Sequence, residues 1–279
     1  MNYTFGSITY DLNSRTHIMG ILNVTPDSFS DGGVYFETEK AVQHALRMVD
    51  EGADFIDIGG ESTRPGAEKI SVTDEISRVV PVIEQVAKHV QTPISIDTYK
   101  SEVAEQALRA GALIVNDVTG LHGDTQLPDV IVRHNASVIV MHIKGTPRTM
   151  QEHPQYENLL EEICSYLSES ISIAEKKSIR QVIVDPGIGF GKTVEHNLEI
   201  LRELTTFQRF GYPVLVGTSR KSFIGKILNE PVNERFEGTA ASVAISIMNG
   251  ANIVRVHDVK QMKRVAGVVD AIIKPKDKK

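Results

Sequence analysis

The sequence predicts a single (β/α)8 TIM barrel, an α/β fold of eight parallel strands alternating with helices, preceded by an N-terminal β-hairpin. Short runs rich in β-branched residues alternate with longer amphipathic stretches, and 279 residues is a usual length for one such barrel. The runs are apolar without alternation, which is typical of parallel strands buried on both faces. No Pro/Gly/Ser-rich linker interrupts the pattern, so we expect residues 1–279 to form one domain.

The elements follow in order along the chain. Residues Tyr3–Asp11 precede the repeat, and their Gly6-Ser7 turn indicates a hairpin that covers the bottom of the barrel. The apolar runs then predict eight strands: His17–Asn23, Phe55–Gly59, Ile94–Asp97, Leu113–Asn116, Ser137–Met141, Val182–Asp185, Pro213–Gly217 and Ile253–His257. Between them, apolar residues recur at helical spacing. Three of these helices end at a Gly-Ala pair, where glycine adopts the left-handed conformation that ends a helix: Gly52, Gly111 and Gly250.

The helix near Thr239–Asn249 differs from the others because it has almost no polar face. A helix that is apolar all round is buried on two sides. Packing against the barrel accounts for one side. We expect a second copy of the chain to cover the other, which predicts a homodimer.

Composition excludes several classes of protein. The net charge of −6 argues against a nucleic-acid surface, which needs clustered Lys and Arg. No apolar run is long enough to span a bilayer, and the N-terminus has no signal-peptide pattern. The single cysteine, Cys164, cannot form an internal disulfide, which favours a reducing compartment. We therefore expect a cytoplasmic protein that binds neither nucleic acid nor membranes.

Polar residues stand at or just past the end of every predicted strand. In (β/α)8 barrels the active site lies at the carboxyl ends of the strands. The residues at those ends are Asn23, Glu61, Asp97, Asn116, His142, Asp185, Lys221, Arg255 and His257. Capping of strands and helices would explain single members of this set, but not the whole ring, since a buried charge without a partner is costly. The ring therefore predicts the active site.

The composition of the ring indicates a heterocyclic ligand that carries an anion. The carboxylates of Asp97 and Asp185 can each accept two parallel hydrogen bonds from an amino group and an adjacent ring N–H. Lys221 can donate to a carbonyl on the far edge of such a ring. Arg255 offers a planar cation that can stack on a ring or bind phosphate with two hydrogen bonds. We expect one side of the site to recognise the ring and the other to recognise the anion.

Two further features concern loops. The connections at residues 24–33 and 60–67 are long for βα turns, which indicates either lids or disordered segments. The segment Asp185–Thr193 resembles a phosphate-binding P-loop, but Pro186 stands where that motif requires its first glycine, so we do not expect a nucleotide site there. We expect His17 and Cys164 to have packing roles. His142 either orients a loop or acts in the site, and the sequence leaves this open.

Eight segments in order along the chain resemble the motifs of dihydropteroate synthases, and the match extends from Ile18 to Asp258. The segments are Met19–Gly33, Asp57–Gly66, Ser95–Thr98, Val115–Asp117, Met141–Pro147, Asp185–Lys192, Ser219–Phe223 and Arg255–Asp258. One tetrapeptide would be weak evidence, but eight at successive strand ends are strong. The fifth segment has Ile143 where the family often has a second Met, which puts little in doubt.

The resemblance implies the condensation of 6-hydroxymethyl-7,8-dihydropterin diphosphate with p-aminobenzoate, with Mg²⁺ as cofactor and diphosphate leaving first. It implies that the pterin is held by Asp97, Asn116, Met141, Asp185, Gly217 and Lys221. The diphosphate would be held by Asn23, Thr63, Arg255 and His257, with Asn23 near Mg²⁺. The p-aminobenzoate pocket, which sulfonamides would occupy as mimics, would be lined by Phe29, Arg64, Pro65, Phe190 and Ser222. The residues implied to carry the chemistry are Asp97, Lys221, Arg255 and His257.

Two alternatives remain open at this point. A methyltetrahydrofolate-dependent methyltransferase could share the recognition of a pterin edge by Asp97, Asn116 and Asp185. It would lack a diphosphate site and the Ser219–Ser222 and Ser62–Pro65 loops seen here. A catalytically silent pterin binder is the second alternative, although binding alone would not need Arg255 and His257.

Overall fold

The computed structural model describes residues 1–25, 33–63, 66–146 and 148–273. Within these residues the strands are β1 Asn2–Phe5, β2 Ile8–Asp11, β3 His17–Asn23, β4 Phe55–Gly59, β5 Ile94–Asp97, β6 Ile114–Asp117, β7 Ser137–Met141, β8 Val182–Asp185, β9 Leu215–Val216 and β10 Ile253–Val256. The α-helices are α1 Gly33–Asp50, α2 Val72–His89, α3 Ser101–Ala110, α4 Leu127–Arg133, α5 Leu159–Lys176, α6 Val194–Arg202, α7 Ser222–Leu228, α8 Phe236–Met248 and α9 Val259–Ile273. Short 3-10 helices span Leu204–Phe210 and Val232–Glu234.

Strands β3 to β10 form one parallel sheet that curls into a barrel, which confirms the predicted fold. The order of strands in the sheet is β8-β7-β6-β5-β4-β3-β10-β9. A bridge between Val184 and Val214 joins the two edges, and the Val184 N–H donates to the Pro213 carbonyl over 2.9 Å. Strand β9 is shorter than the predicted Pro213–Gly217, because only Leu215 and Val216 belong to its ladder with β10.

The N-terminal hairpin closes the bottom of the barrel, as expected. Strands β1 and β2 pair antiparallel, and the Tyr3 hydroxyl donates to the Val182 carbonyl over 2.7 Å. The hairpin packs on a layer of inward-facing apolar side chains that includes Met19, Phe55, Ile114, Ile139, Ile183, Leu215 and Ile253. His17 is also buried at this end, against Tyr10 and Phe55. With this end filled, a ligand has to enter at the carboxyl ends of the strands.

Alternation along the strands decides which side chains reach the barrel interior. In β4, Ile56 and Ile58 belong to the core beneath the helices, whereas Phe55 belongs to the interior layer. Side chains two residues apart share a face of the strand. Asp57 therefore points into the barrel, one layer above Phe55 and towards the open end.

Helix ends and burial also agree with the sequence. Gly52 and Gly111 have φ of +99° and +119°, a conformation that a residue with a Cβ rarely adopts. Cys164 is buried in the core, in keeping with a packing role. Among the described helices, none combines the length and the apolar content that crossing a membrane requires.

Candidate active site

Arg255 lies at the centre of the open end of the barrel, bonded to two carboxylates. Its Nε donates to Asp57 Oδ2 over 2.6 Å, and its Nη2 donates to Asp97 Oδ2 over 2.7 Å. The arginine side chain is 20% exposed and that of Asp57 is 0% exposed. Charge-assisted bonds of this length hold a side chain in one orientation. The guanidinium therefore lies between the carboxylates of Asp57 and Asp97.

Asp57 is a central residue that the reading of strand ends missed. Besides Arg255, its Oδ2 accepts a hydrogen bond from Asn116 Nδ2 over 3.0 Å. One carboxylate thus orients both an arginine and an amide of the predicted ring. A signal was present in the sequence, because Asp57 is a charged residue inside the apolar run Phe55–Gly59. It was overlooked because it lies two residues before the end of β4.

Two carboxylate oxygens of this cluster remain available to a ligand. Asp57 Oδ1 and Asp97 Oδ1 are buried and have no hydrogen-bond partner in the described part of the chain. Burial raises the pKa of Asp97 above its ordinary value, although the neighbouring Arg255 opposes the shift. A buried acceptor without a donor costs about 1–3 kcal/mol. A ligand that brings N–H donors to Asp97 would remove this cost.

Asp185 and Lys221 form a second pair of charged groups in the site. Asp185 ends β8, and its Oδ1 accepts the Gly187 N–H over 2.7 Å. Burial raises the pKa of Asp185, while Lys221 opposes the shift. Lys221 precedes α7, and burial lowers the pKa of its ammonium to about 8 although Asp185 opposes this. Each group opposes the effect of burial on the other, so a ligand edge would meet a carboxylate beside an amino group.

An apolar wall stands next to this pair. Met141 is buried at the end of β7 in a cluster with Val118, Ile143 and Met150. Phe190 is half-buried and packs against this cluster. Lys221 Nζ lies 4.5 Å from the centre of the Phe190 ring and donates to the Ile188 carbonyl. The wall gives an aromatic ligand a flat apolar surface beside a cation.

His257 and the segment before α7 are tied together. The His257 Nδ1 lies 2.9 Å from Ser219 Oγ, which also accepts the His257 backbone N–H over 3.2 Å. Arg220 adopts a left-handed conformation with φ of +57° and makes two hydrogen bonds to Asp258. These contacts join the end of β10 to the segment that carries Lys221.

Glu61 anchors a loop instead of joining the charged centre. Its carboxylate accepts from Lys100 Nζ over 2.6 Å, from the Tyr99 hydroxyl over 3.2 Å and from the Ile70 N–H over 3.1 Å. The same ammonium donates to Glu75, which is buried, over 2.6 Å. The loop after β4, which carries Thr63, is therefore fastened to the start of α3.

The remaining predicted residues have these positions. Asn23 ends β3 and Thr63 lies beyond β4, and both are half-buried. Gly217 is buried next to Arg255, and a Cβ at this glycine would lie 3.7 Å from the Arg255 Cβ. Its lack of a side chain leaves space beside the arginine. Ser222 is exposed as the first residue of α7. The predicted residues Phe29, Arg64 and Pro65 lie outside the described residues.

His142 is buried just past the end of β7. Its Nδ1 lies 2.8 Å from Nζ of Lys192, which is also buried. Burial and the neighbouring Lys192 lower the pKa of His142 to about 2, so the imidazole is neutral. Lys192 was not among the predicted site residues, although it ends the family segment Asp185–Lys192, because the resemblance implied no role for it.

The donor set at the mouth fits a magnesium ion held mainly by its substrate. The described residues contain no group of three His, Cys, Asp or Glu side chains arranged to hold a metal. Mg²⁺ commonly binds through one or two protein oxygens together with substrate phosphates and water. The Asn23 amide at the end of β3 offers one such oxygen.

Comparisons with known proteins agree with this geometry. A family model described as "Pterin binding enzyme" matches residues 19–257. The dihydropteroate synthase of Bacillus subtilis (strain 168) is 49% identical over 261 residues, covering 93% of this chain and 89% of the relative. The crystal structure of Yersinia pestis dihydropteroate synthase with a sulfonamide drug complex has a TM-score of 0.92 at 42% identity, covering 98% of this chain and 99% of that one. That of the Clostridium difficile enzyme in the presence of pteroic acid has a TM-score of 0.89 at 46% identity, covering 94% and 98%.

Proposed function

The chain belongs to the pterin-binding enzymes and is a transferase with dihydropteroate synthase activity, and from this premise we propose which residues perform each part of the reaction. The reaction condenses 6-hydroxymethyl-7,8-dihydropterin diphosphate with p-aminobenzoate and yields 7,8-dihydropteroate and diphosphate. The observation that carries the assignment is the buried Asp57–Arg255–Asp97 cluster, in which one oxygen of Asp97 has no donor among the residues that the structure describes. We take residues 1–279 as one pterin-binding barrel domain.

The pterin would bind with its polar edges against the buried carboxylates. Asp97 Oδ1 accepts from ring donors, since it has no donor among the described residues. Asp185 accepts from an amino group and an adjacent ring N–H, and Lys221 donates to the pterin carbonyl. Asn116, held by Asp57, completes the set of polar partners. Met141 supplies an apolar face, and Gly217 leaves space for the ring beside Arg255.

The diphosphate would leave towards Arg255, His257, Asn23 and Thr63. A guanidinium has five N–H donors, and the two carboxylates occupy two of them in this structure. Donors thus remain for a phosphate oxygen while the orientation of the cation stays fixed. When bound, Mg²⁺ neutralises the negative charge that develops on the leaving group. Asn23 would hold this ion together with the diphosphate oxygens.

The reaction proceeds by departure of the leaving group before attack. The bond between the methylene carbon and the diphosphate oxygen breaks, and its electron pair leaves with the diphosphate. The p-aminobenzoate nitrogen then forms the C–N bond and gives up a proton. Asp97 and Asp185 are placed to stabilise the positive charge that develops on the pterin. This route needs no protein nucleophile.

The p-aminobenzoate ring would lie against Phe190 and beside Ser222. Phe190 offers a half-buried aromatic face, and Ser222 is exposed at the start of α7, where its hydroxyl can reach a carboxylate. Phe29, Arg64 and Pro65 stay predictions of the sequence for the same pocket. A sulfonamide resembles p-aminobenzoate in size and charge, so we propose that it competes for this pocket. The relative from Yersinia pestis was solved with such a drug.

We further propose that two copies of the chain associate through α7 and α8. A groove of about 560 Å³ runs between α6, α7 and α8 and is lined mainly by apolar side chains, including Leu198, Phe223, Ile224, Ile227, Leu228, Ala241 and Ile245. Ile245 and Met248 are 47% and 57% exposed. Contiguous apolar surface of this kind marks protein interfaces. The lone buried thiol of Cys164 supports a cytoplasmic location for such a dimer.

A binding measurement tests the pterin assignment. Calorimetry would follow an oxidised pterin without diphosphate as it binds to the wild type, to Asp185→Ala and to Ser222→Ala. Loss of a charged hydrogen-bond partner costs about 1.5–3 kcal/mol, so Asp185→Ala should weaken binding at least about tenfold. Ser222→Ala, which changes the p-aminobenzoate side, should leave pterin affinity unaltered. Equal affinities for the wild type and Asp185→Ala would refute the assignment.

A further inference from the structure

The loop between β8 and α6 is fastened by side chains from several parts of the chain. Four successive carbonyls of this loop each accept a hydrogen bond from a side chain. The pairs are Ile188 with Lys221, Gly189 with Gln151, Phe190 with Lys192, and Gly191 with Tyr156. In addition, Asn197 Oδ1 accepts the Gly189 N–H over 2.6 Å. These five hydrogen bonds hold the backbone of residues 188–191 in place.

Lys192 stands out among these donors because its amino group is fully enclosed. The residue is 2% exposed, and its Nζ lies 3.0 Å from the Phe190 carbonyl and 2.8 Å from His142 Nδ1. It makes no ion pair with any residue that the structure describes. Burial lowers its pKa well below the ordinary value for a lysine. The Asp185 carboxylate opposes this shift, but it is not within ion-pair distance of Nζ. Placing a lysine in the interior without a directly bonded carboxylate is costly, so stability alone does not explain it.

His142 connects this lysine to the pterin side of the pocket. The His142 Nδ1 lies within hydrogen-bonding distance of the Lys192 Nζ, so the imidazole ring and the amino group are coupled directly. The backbone N–H of His142 donates to the Asp185 backbone carbonyl over 3.0 Å. Its own carbonyl lies against Gly187, where a Cβ would approach to 1.9 Å. The loop is thereby held against the end of β7, next to Met141.

Lys192 is hydrogen-bonded to the backbone of Phe190, whose ring is part of the apolar wall. Its hydrogen bond ends on the Phe190 carbonyl, and the Phe190 ring lies 4.5 Å from Lys221 Nζ. We propose that Lys192, acting through His142 and the Phe190 carbonyl, is a positioning residue that sets the Phe190 ring for p-aminobenzoate. This inference rests on the proposed assignment of Phe190 to that pocket. Lys192 touches neither substrate.

Steady-state kinetics with each substrate varied separately tests the inference. Lys192→Met keeps the length of the side chain and removes its donors. We expect KM for p-aminobenzoate to rise about tenfold or more, since small displacements of a positioned group have effects of this size. The KM for the dihydropterin diphosphate and kcat should change less than about threefold on the same argument. Lys192→Gln, which retains a donor for the Phe190 carbonyl, should give an intermediate KM for p-aminobenzoate.

Two matched variants separate this role from a general loss of stability. Lys263 donates to Asp54 over 3.1 Å at the bottom of the barrel, so Lys263→Met removes a lysine far from the site. It should change thermal stability without changing either KM. Phe190→Leu should raise KM for p-aminobenzoate, and an unchanged value there would remove the assignment on which the inference rests.

The inference fails if Phe190→Leu raises KM for p-aminobenzoate while Lys192→Met and Lys192→Gln do not. It also fails if both lysine variants raise the two KM values equally, because that would indicate loosening of the whole site. Should Lys192→Met not fold, Lys192→Gln decides alone. A selective rise in KM for p-aminobenzoate would then support the positioning role, and a wild-type value would overturn it.

Discussion

Arg255 lies within hydrogen-bonding distance of both Asp57 and Asp97 inside the barrel, so each buried carboxylate has a cationic partner before substrate arrives. A charge inside a protein is costly without a partner, and an arginine between two carboxylates meets that cost on both sides. The same contacts leave Asp97 Oδ1 without a donor from the described part of the chain. At the scale of single residues, recognition of the pterin therefore depends on which atoms the protein leaves unpaired.

The lowered pKa of Lys221 predicts how activity depends on pH. Burial lowers the pKa of its ammonium to about 8, so the charged form that donates to the pterin is complete below that pH and is lost as pH rises through it. We expect kcat/KM for the dihydropterin diphosphate to fall on the alkaline side with a midpoint near that value. In Lys221→Arg the guanidinium stays charged, so the remaining activity should lose this alkaline fall.

Profiles of kcat/KM against pH, measured for the wild type and for Lys221→Arg, would check this expectation. Thermal unfolding followed over the same pH range would exclude loss of the fold. A wild-type profile that stays flat well above the pKa of Lys221 would contradict it. So would an unchanged alkaline fall in Lys221→Arg.

The sequence indicated candidate site residues but not their contacts. Asp97, Asp185, Lys221 and Arg255 could be proposed because position at a strand end can be read from a single sequence, and their binding roles stay predictions. Asp57 was missed because its role depends on Arg255, which is 198 residues away in the chain. The partnership of His142 with Lys192 depends in the same way on how two neighbouring loops pack. Contacts of this kind leave no periodic signal in the sequence.

At the scale of elements, α8 combines two surfaces. Val243 and Ile247 are buried against the barrel, while Ile245 and Met248 are exposed beside the groove between α6, α7 and α8. From the lack of a polar face, the sequence analysis predicted that one side of this helix packs against the barrel and that a second copy of the chain covers the other. Its N-terminal part also supports the site, because Thr239 Oγ1 accepts the Arg220 N–H over 3.0 Å.

Ile245→Asp tests the proposed dimer. A charge at the centre of an apolar interface would be desolvated without a partner, so we expect the variant to be monomeric where the wild type is dimeric. Sedimentation velocity would measure both. Val268→Asp on α9 is the matched control, since Val268 is exposed on a different helix and its change should leave the dimer intact. A monomeric wild type, or a dimeric Ile245→Asp, would contradict the proposal.

The positions of the elements were largely predictable, and the clearest exception is β9. Apolar runs and helical spacing are properties of neighbouring residues, so strands β3, β4, β5, β7 and β8 have the predicted bounds. Strand β9 does not, because its first residues meet β8 through a single bridge at Val214. The geometry of barrel closure determines that end, and neighbouring residues carry no record of it.

At the scale of the whole molecule, barrel closure creates the site. Strands β10 and β4 both flank β3 in the sheet, so curling the sheet brings Arg255 over Asp57 and Asp97. The hairpin fills the opposite end. Substrates consequently share one opening, which suits a reaction in which one substrate leaves a charged fragment before the second attacks.

An assay of diphosphate release by the purified protein tests the proposed cofactor and inhibitor. Removal of Mg²⁺ with a chelator should abolish release, and added Mg²⁺ should restore it. A sulfonamide should inhibit competitively with p-aminobenzoate and without effect on KM for the pterin substrate. Release that persists without divalent metal would refute the first proposal, and non-competitive inhibition or none would refute the second.

The most direct test of the account is diphosphate release by the purified protein from the dihydropterin diphosphate, with and without p-aminobenzoate, alongside Asp185→Ala and Lys221→Ala. The account predicts release that requires p-aminobenzoate and falls at least about a hundredfold in both variants, because each removes a charged partner of the pterin. A folded wild-type protein that binds pterin but releases no diphosphate, or variants as active as the wild type, would contradict it.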